Sequence, residues 1–338
     1  MKKSILNHLA ITILCTGLIS LSCSKKMDLQ NIDNSSSNEV PEGWFYYDGD
    51  EFDGTEIDHR YWGIYGDEYT FSSRYGQPQG MLQTYRKQQI SFVNDQGRKV
   101  VRITATRDDN PPTTQYEEAK HRPGWWSGGL SSRDAKNYNN NPRKLYPLFS
   151  RIEIKAKVPY EYGVWMSLWL RHYLGASTAE LDILEIFYKY YQTTPNKMQI
   201  NQTLHMHDSE TNKLRTNVNK NPFTILDFNP ADDYHVYGVQ IDPDPNDPKK
   251  HAIISFLLDG KITNTWKTID FGNKYNSFIT RAMEEGMENT TWDVAITGQI
   301  GGLDRYGVGY PEDHNPNLRN VTMDIDWLRV YTRENKSK

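Results

Sequence analysis

The chain of 338 residues carries 39 basic and 43 acidic side chains, a net charge of −4. So even a balance gives no basic stripe and argues against a nucleic-acid partner. Only two cysteines occur, Cys15 and Cys23, both near the N-terminus, so the bulk of the chain is predicted to fold without disulfides around one large core.

The first residues have the pattern of an export signal. Lys2 and Lys3 precede an apolar run over 9–21, too short to span a bilayer but long enough for a signal-peptide core. Leu21-Ser22-Cys23 follows, then Ser24-Lys25-Lys26. A small residue directly before a cysteine at this place resembles a bacterial lipobox, although Ser20 stands where a branched aliphatic is usual. The resemblance implies a signal peptide over 1–22, a lipid on Cys23, and a cell-envelope location, with the lipid as the only membrane contact. Residues 23–41 read as a tether, because their Ser/Asn-rich composition lacks the apolar area to order itself.

From Trp44 onward there is no second linker and no internal repeat, so 42–335 is predicted to be one domain, expected to be monomeric. Strands are predicted over 99–106, 150–158, 164–170, 235–241, 252–258 and 321–331. Several alternate apolar with polar, as in Arg151-Ile152-Glu153-Ile154-Lys155-Ala156, the period of a half-buried strand. Leu257-Leu258-Asp259-Gly260-Lys261-Ile262 predicts a hairpin, since Asp-Gly readily adopts the positive φ angles of a tight turn. Many short strands with little helical periodicity point to an all-β sandwich or barrel.

Ala179-Glu180-Leu181-Asp182-Ile183-Leu184-Glu185-Ile186-Phe187 places three carboxylates in an apolar stretch. On a regular strand Glu180 and Asp182 share a face, and Glu185 points the other way with Leu184 beside the acids. A one-residue β-bulge between Asp182 and Glu185 brings all three acids to one face and sends Leu181 and Ile183 to the core. Clustered carboxylates repel, an arrangement that suits a pair with opposed protonation states. A solvated acidic edge or a calcium site would explain the same residues.

Glu180-x-Asp182-x-x-Glu185 resembles the bulged catalytic signature of glycoside hydrolase family 16, which includes laminarinases, lichenases, agarases, porphyranases and κ-carrageenases. Further segments resemble the family in order: Glu51-Phe52-Asp53-Gly54, Ser150 to Pro159, Gly163-Val164-Trp165, Leu168-Trp169, Thr203-Leu204-His205, Tyr234 to Gly238, Asp259-Gly260-Lys261, Gly301-Gly302 and Met323 to Tyr331. The resemblance implies a β-jelly-roll of two antiparallel sheets with a concave cleft. It implies Glu180 as nucleophile, Asp182 as its assistant and Glu185 as acid/base. Trp165, Trp169, His205 and, at the cleft edge, Trp126 match substrate-contacting positions. No cofactor is implied; Asp326 matches the carboxylate of a structural calcium site found in many members. His205-x-His207-Asp208 lacks a partnered third ligand and is not assigned to a metal.

Two departures bear on the substrate. Arg171-His172 follows Trp169 where glucanases of the family carry neutral residues, and Gln299 precedes Gly301-Gly302 where a small residue is common. The reading is an endo-acting, retaining hydrolase of a β-1,3- or mixed β-1,3/1,4-glucan. Alternatives are an agar-, porphyran- or carrageenan-type galactan or a host O-glycan as substrate, which Arg171 and His172 motivate as anion-binding groups, or a surface glycan-binding lipoprotein without catalysis.

Overall fold

The computed structural model describes residues 40–66, 80–109, 119, 121–133, 144–175, 178–186, 197–208, 213–215, 223–272, 277–303 and 307–335. The signal peptide, Cys23 and nearly all of the tether lie outside them. Residues Glu39–Lys338 form one compact unit.

Among the described residues the strands are, in chain order, β1 (Phe45–Asp50), β2 (Gly63–Ile64), β3 (Gln83–Tyr85), β4 (Ile90–Asp95), β5 (Arg98–Asp108) and β6 (Gly124–Ser127). Then come β7 (Gly129–Ser131), β8 (Arg151–Lys157), β9 (Val164–His172), β10 (Ala179–Glu185), β11 (Met198–Asp208) and β12 (Lys213–Arg215). The rest are β13 (Phe223–Leu226), β14 (His235–Pro243), β15 (Ala252–Leu258), β16 (Lys261–Lys267), β17 (Trp292–Ile300) and β18 (Asn320–Thr332), with the helix α1 (Ser277–Glu284) before β17.

They form two stacked sheets of a β-jelly-roll. The ten-stranded sheet runs β16-β15-β14-β8-β18-β5-β6-β3, with β1 also on β18 and β4 on β5. The eight-stranded sheet runs β12-β11-β10-β9-β17-β7-β2, with β13 on β11. The pairings are antiparallel apart from β3 with β6. The predicted alternation explains the core. Ile152, Ile154 and Ala156 of β8 point inward and are fully buried, as are Met166, Leu168 and Leu170 of β9 and Val294 and Ile296 of β17. Each large aliphatic side chain buried this way stabilises the fold by roughly 1.5–3 kcal/mol. The predicted hairpin closes β15 onto β16, with Asp259 at φ 49° and Gly260 at φ 75°.

β6 and β7 are one run of chain that changes sheets at Gly128. The crossing needs close backbone approach. Gly298 N–H donates to Gly128 O at 3.0 Å, and a Cβ on Gly298 would stand 2.5 Å from Ser127 Oγ. The short helix α1, absent from the sequence prediction, is held by Phe278, Ile279 and Ala282, which are completely buried.

Candidate active site

The acidic strand β10 lies between β9 and β11. Against β9 its register is Glu180 opposite Arg171, Asp182 opposite Trp169, then Leu184 opposite Leu168 and Glu185 opposite Ser167. Ile183 is the extra residue, so the bulge lies where the alternation required it. Leu184, together with Leu181, takes the core-facing register position. Ile183 is fully buried as well. The bulge turns Glu185 back to the outer face, beside Glu180 and Asp182. On the other side of β10, Glu180, Asp182 and Glu185 stand opposite His205, Thr203 and Asn201 of β11.

Each acid has its own surroundings. Glu185 Oε1 accepts a hydrogen bond from Trp165 Nε1 at 2.9 Å. Asp182 Oδ2 lies 3.0 Å from His205 Nε2, and Glu180 Oε1 lies 3.8 Å from the same nitrogen. Asp182 is 3% exposed and Glu185 8% exposed, whereas the Glu180 side chain keeps 20%. Burial raises the pKa of all three. Glu180 is pushed up to about 8, by loss of hydration first and then by Asp182, with His205 and Arg171 pulling the other way. Asp182 is raised by burial. Glu185 is held well above the carboxylate range by burial and by Asp182, with the indole hydrogen bond opposing. Carboxyls so crowded cannot all ionise together, so at least one keeps a proton near neutral pH. Donor atoms of Glu180, Asp182 and His205 come within 4.8 Å of one another.

The predicted contact residues divide. Trp165 and Trp169 share the acid-bearing face, and Trp169 Nε1 donates to Thr297 Oγ1 at 3.1 Å. Gln299 stands opposite Trp165 on β17, its Oε1 accepting from Ser167 Oγ at 2.9 Å. His205 joins the acids, as described. Trp126 does not. It is on β6 of the other sheet, where Trp125 enters the core and Trp126 takes the opposite face. There its Nε1 donates to Asp108 Oδ2 at 2.7 Å, and the Arg86 guanidinium lies 4.3 Å from its ring centre.

Arg171 and His172 are not an exposed anion-binding pair. Arg171 is 2% exposed; it donates through Nε and Nη2 to Asp293 at 3.1 and 2.8 Å and through Nη2 to Ser131 Oγ at 2.7 Å. His172 is fully buried against Tyr173, Phe278 and Trp292, and burial lowers its pKa to about 3, so it is neutral at ordinary pH. The surroundings of Asp326 do not fit a calcium site either. Its Oδ2 faces Lys155 Nζ at 3.1 Å and Arg98 Nη1 at 3.4 Å, two positive charges that a divalent ion would have to displace.

Sequence reasoning missed Asp293, Ser131, Ser167 and Thr297. A signal existed for two of them, because Asp293, Thr297 and Gln299 alternate with buried Val294, Ile296 and Ile300.

The family model of glycosyl hydrolases family 16 matches residues 81–299, which include the whole acid-bearing strand. The chain belongs to this family. Its fold is also that of a family 16 enzyme of the mixed-linkage glucan system of Bacteroides ovatus, solved with a G4G4G3G product. That likeness has a TM-score of 0.59 at 17% identity and covers 83% of this chain and 98% of the other. The endo-β-1,3-glucanase of Pyrococcus furiosus is similar over 86% and 94% of the two chains, with 19% identity and a TM-score of 0.57. A structure from work on endo-acting O-glycanases with which human gut bacteria begin mucin breakdown covers 87% of this chain and 93% of its own. Its identity is 20% and its TM-score 0.58. Comparison with curated protein sequences gives no match.

Proposed function

We propose that the chain is an endo-acting, retaining β-glycosidase, with a β-1,3- or mixed β-1,3/1,4-glucan as the leading substrate. The observation that carries the reading is the bulge, which puts Glu180 and Glu185 on one face in unlike surroundings. Retention needs one ionised carboxylate and one protonated carboxyl on that face. Glu185, buried under the Trp165 indole, donates its proton to the leaving oxygen. Glu180 attacks the anomeric carbon and forms a glycosyl ester. Glu185, now ionised, takes a proton from water, which attacks the same carbon and frees Glu180. Asp182, between them, keeps a second charge from developing freely beside the nucleophile. Trp169, partly buried on the same face, offers a ring against which a sugar can stack.

A host O-glycan is the second substrate reading; the likeness to the O-glycanase-related structure supports it. A sulfated galactan loses its motive once Arg171 and His172 are seen to be buried. A glycan-binding protein without turnover is the reading from another class. We also read Cys23 as the lipid attachment point that would hold a monomeric enzyme at the cell envelope; palmitate labelling of wild type against Cys23→Ala tests that part.

Wild type and Glu180→Gln are to be compared on laminarin, mixed-linkage glucan, agarose, porphyran, carrageenan and mucin glycans by reducing ends and mass spectrometry. Oligosaccharides released by the wild type alone, from either glucan, are the expected outcome. Products from mucin alone would move the assignment to O-glycans. Binding without product from any of them would replace the enzyme reading with a binding one.

A further inference from the structure

Two glutamates on one strand face need a physical reason to differ. The cross-strand rows supply one. Glu180 stands in a charged row: His205 on β11, Glu180 on β10, Arg171 on β9 and Asp293 on β17 are successive partners. Glu185 stands in a neutral row, with Asn201, Ser167 and Thr297. The guanidinium of Arg171 is fixed in place. Asp293 grips it through both carboxylate oxygens and Ser131 holds Nη2. Asp293, fully buried, is itself braced by Arg133 Nε at 2.8 Å, and Arg133 Nη2 donates to His172 O at 2.9 Å. On its other side the guanidinium lies 4.9 Å from the ring centre of Trp169, the residue opposite Asp182.

We propose that Arg171 is a positioning residue for the nucleophile: its buried, clamped guanidinium makes Glu180 the carboxyl that ionises and leaves Glu185 with the proton. This rests on the roles given above to the two glutamates. The groups facing Glu180 are Asp182 and Glu185 along β10, His205 on β11, with His207 two residues further on, Arg171 on β9 and Asp293 on β17. Among these, Asp182 and Asp293 disfavour its charge, and His205 and Arg171 favour it, the guanidinium outweighing Asp293. A charge on the neighbouring strand, directly across from Glu180, acts in a site with little water with far less screening than at the surface, and a nearby guanidinium typically lowers a carboxyl pKa by about 1–3 units.

The test compares wild type, Arg171→Met, Arg171→Lys and Asp293→Asn in two ways. One is the pH dependence of kcat/KM on whichever glycan is cleaved. The other is a 13C-carboxyl NMR titration of the labelled glutamates, with Glu180→Gln assigning the Glu180 signal. In Arg171→Met the acidic limb and the Glu180 midpoint are expected to move up by about one pH unit, a tenfold loss of rate below the limb. Arg171→Lys, which keeps the charge, restores most of the shift; a lysine as damaging as methionine would mark a merely structural role and overturn the proposal. In Asp293→Asn, which keeps the shape and removes an opposing charge, the midpoint moves down. An unmoved Glu180 midpoint in folded Arg171→Met overturns the proposal, and if that variant fails to fold, an unmoved midpoint in Asp293→Asn does so. A shifted midpoint in a protein that cleaves nothing upholds the electrostatic role and removes the enzymatic reading. Cleavage with an unmoved midpoint removes this proposal alone.

Discussion

Each of the two sheets carries three acids that neighbour one another, and they are treated in opposite ways. On the ten-stranded sheet, Asp324 accepts two hydrogen bonds from Arg102, at 2.6 and 2.7 Å. Asp326 faces Lys155 and Arg98, and Asp95 accepts from Lys157 and from Tyr234 Oη. Asp95 is accordingly held below the usual carboxylate range, by Lys157 above all. On the eight-stranded sheet, Glu180, Asp182 and Glu185 share one strand with His205 as the imidazole among them, and all three are pushed up. Acids paired with cations hold strands together. Acids crowded against one another under poor hydration bind protons more tightly, and charging them costs stability.

Removing a carboxyl from the crowded trio should therefore change chemistry most. Glu180→Gln is expected to lower kcat by at least about a thousandfold, since no nucleophile remains; release of reducing ends from the cleaved glycan measures it. Near-wild-type turnover would break the contrast outright. Glu185→Gln should cost about 10²–10⁴ on the natural glycan but much less on an aryl glycoside whose leaving group needs no proton. Equal losses on both substrates would deny Glu185 its role as acid.

The next effect is on stability and has a definite sign. The pKa of Glu180 is raised on folding, from 4.5 to about 8. The folded state thus binds the proton more tightly, so this group's contribution is fully present below about pH 4.5 and is lost as pH rises through about 8. Glu180→Gln removes that loss. Its stability over wild type should be near zero at pH 4.5 and of order 4 kcal/mol at pH 8, read as a Tm gap that widens with pH. A gap constant with pH would place the carboxylate in water instead.

The smallest effect belongs to the paired acids. Asp326→Asn should cost about 1 kcal/mol or less, the ordinary worth of a partly exposed ion pair. Adding calcium or a chelator should leave the Tm of the wild type unmoved, because lysine and arginine already supply the positive charge at Asp326. A chelator-sensitive Tm would overturn that account.

Features that follow from local stereochemistry and strand period can be read along the chain. The alternation of β8, the Asp259-Gly260 turn and the bulge in β10 were all legible, because apolar side chains must enter the core and a strand has only two faces. The bulge lies between Asp182 and Glu185 as the alternation predicts, but Leu184, not Ile183, takes the core-facing register beside Leu181, with Ile183 as the extra residue. Tertiary structure decided which charges meet. Arg171 and His172 read as a cationic pair, but the partner of Arg171 is Asp293, 122 residues further along, and His172 is neutral because aromatic rings surround it. Trp126 was misplaced because the chain changes sheets at Gly128, two residues later, which adjacent residue types do not reveal. Asp326 looked like a metal ligand until Arg98, 228 residues away, was found beside it. Strand period is a property of neighbouring residues, whereas a side chain's charge state depends on burial and on partners that only the stacked sheets bring together.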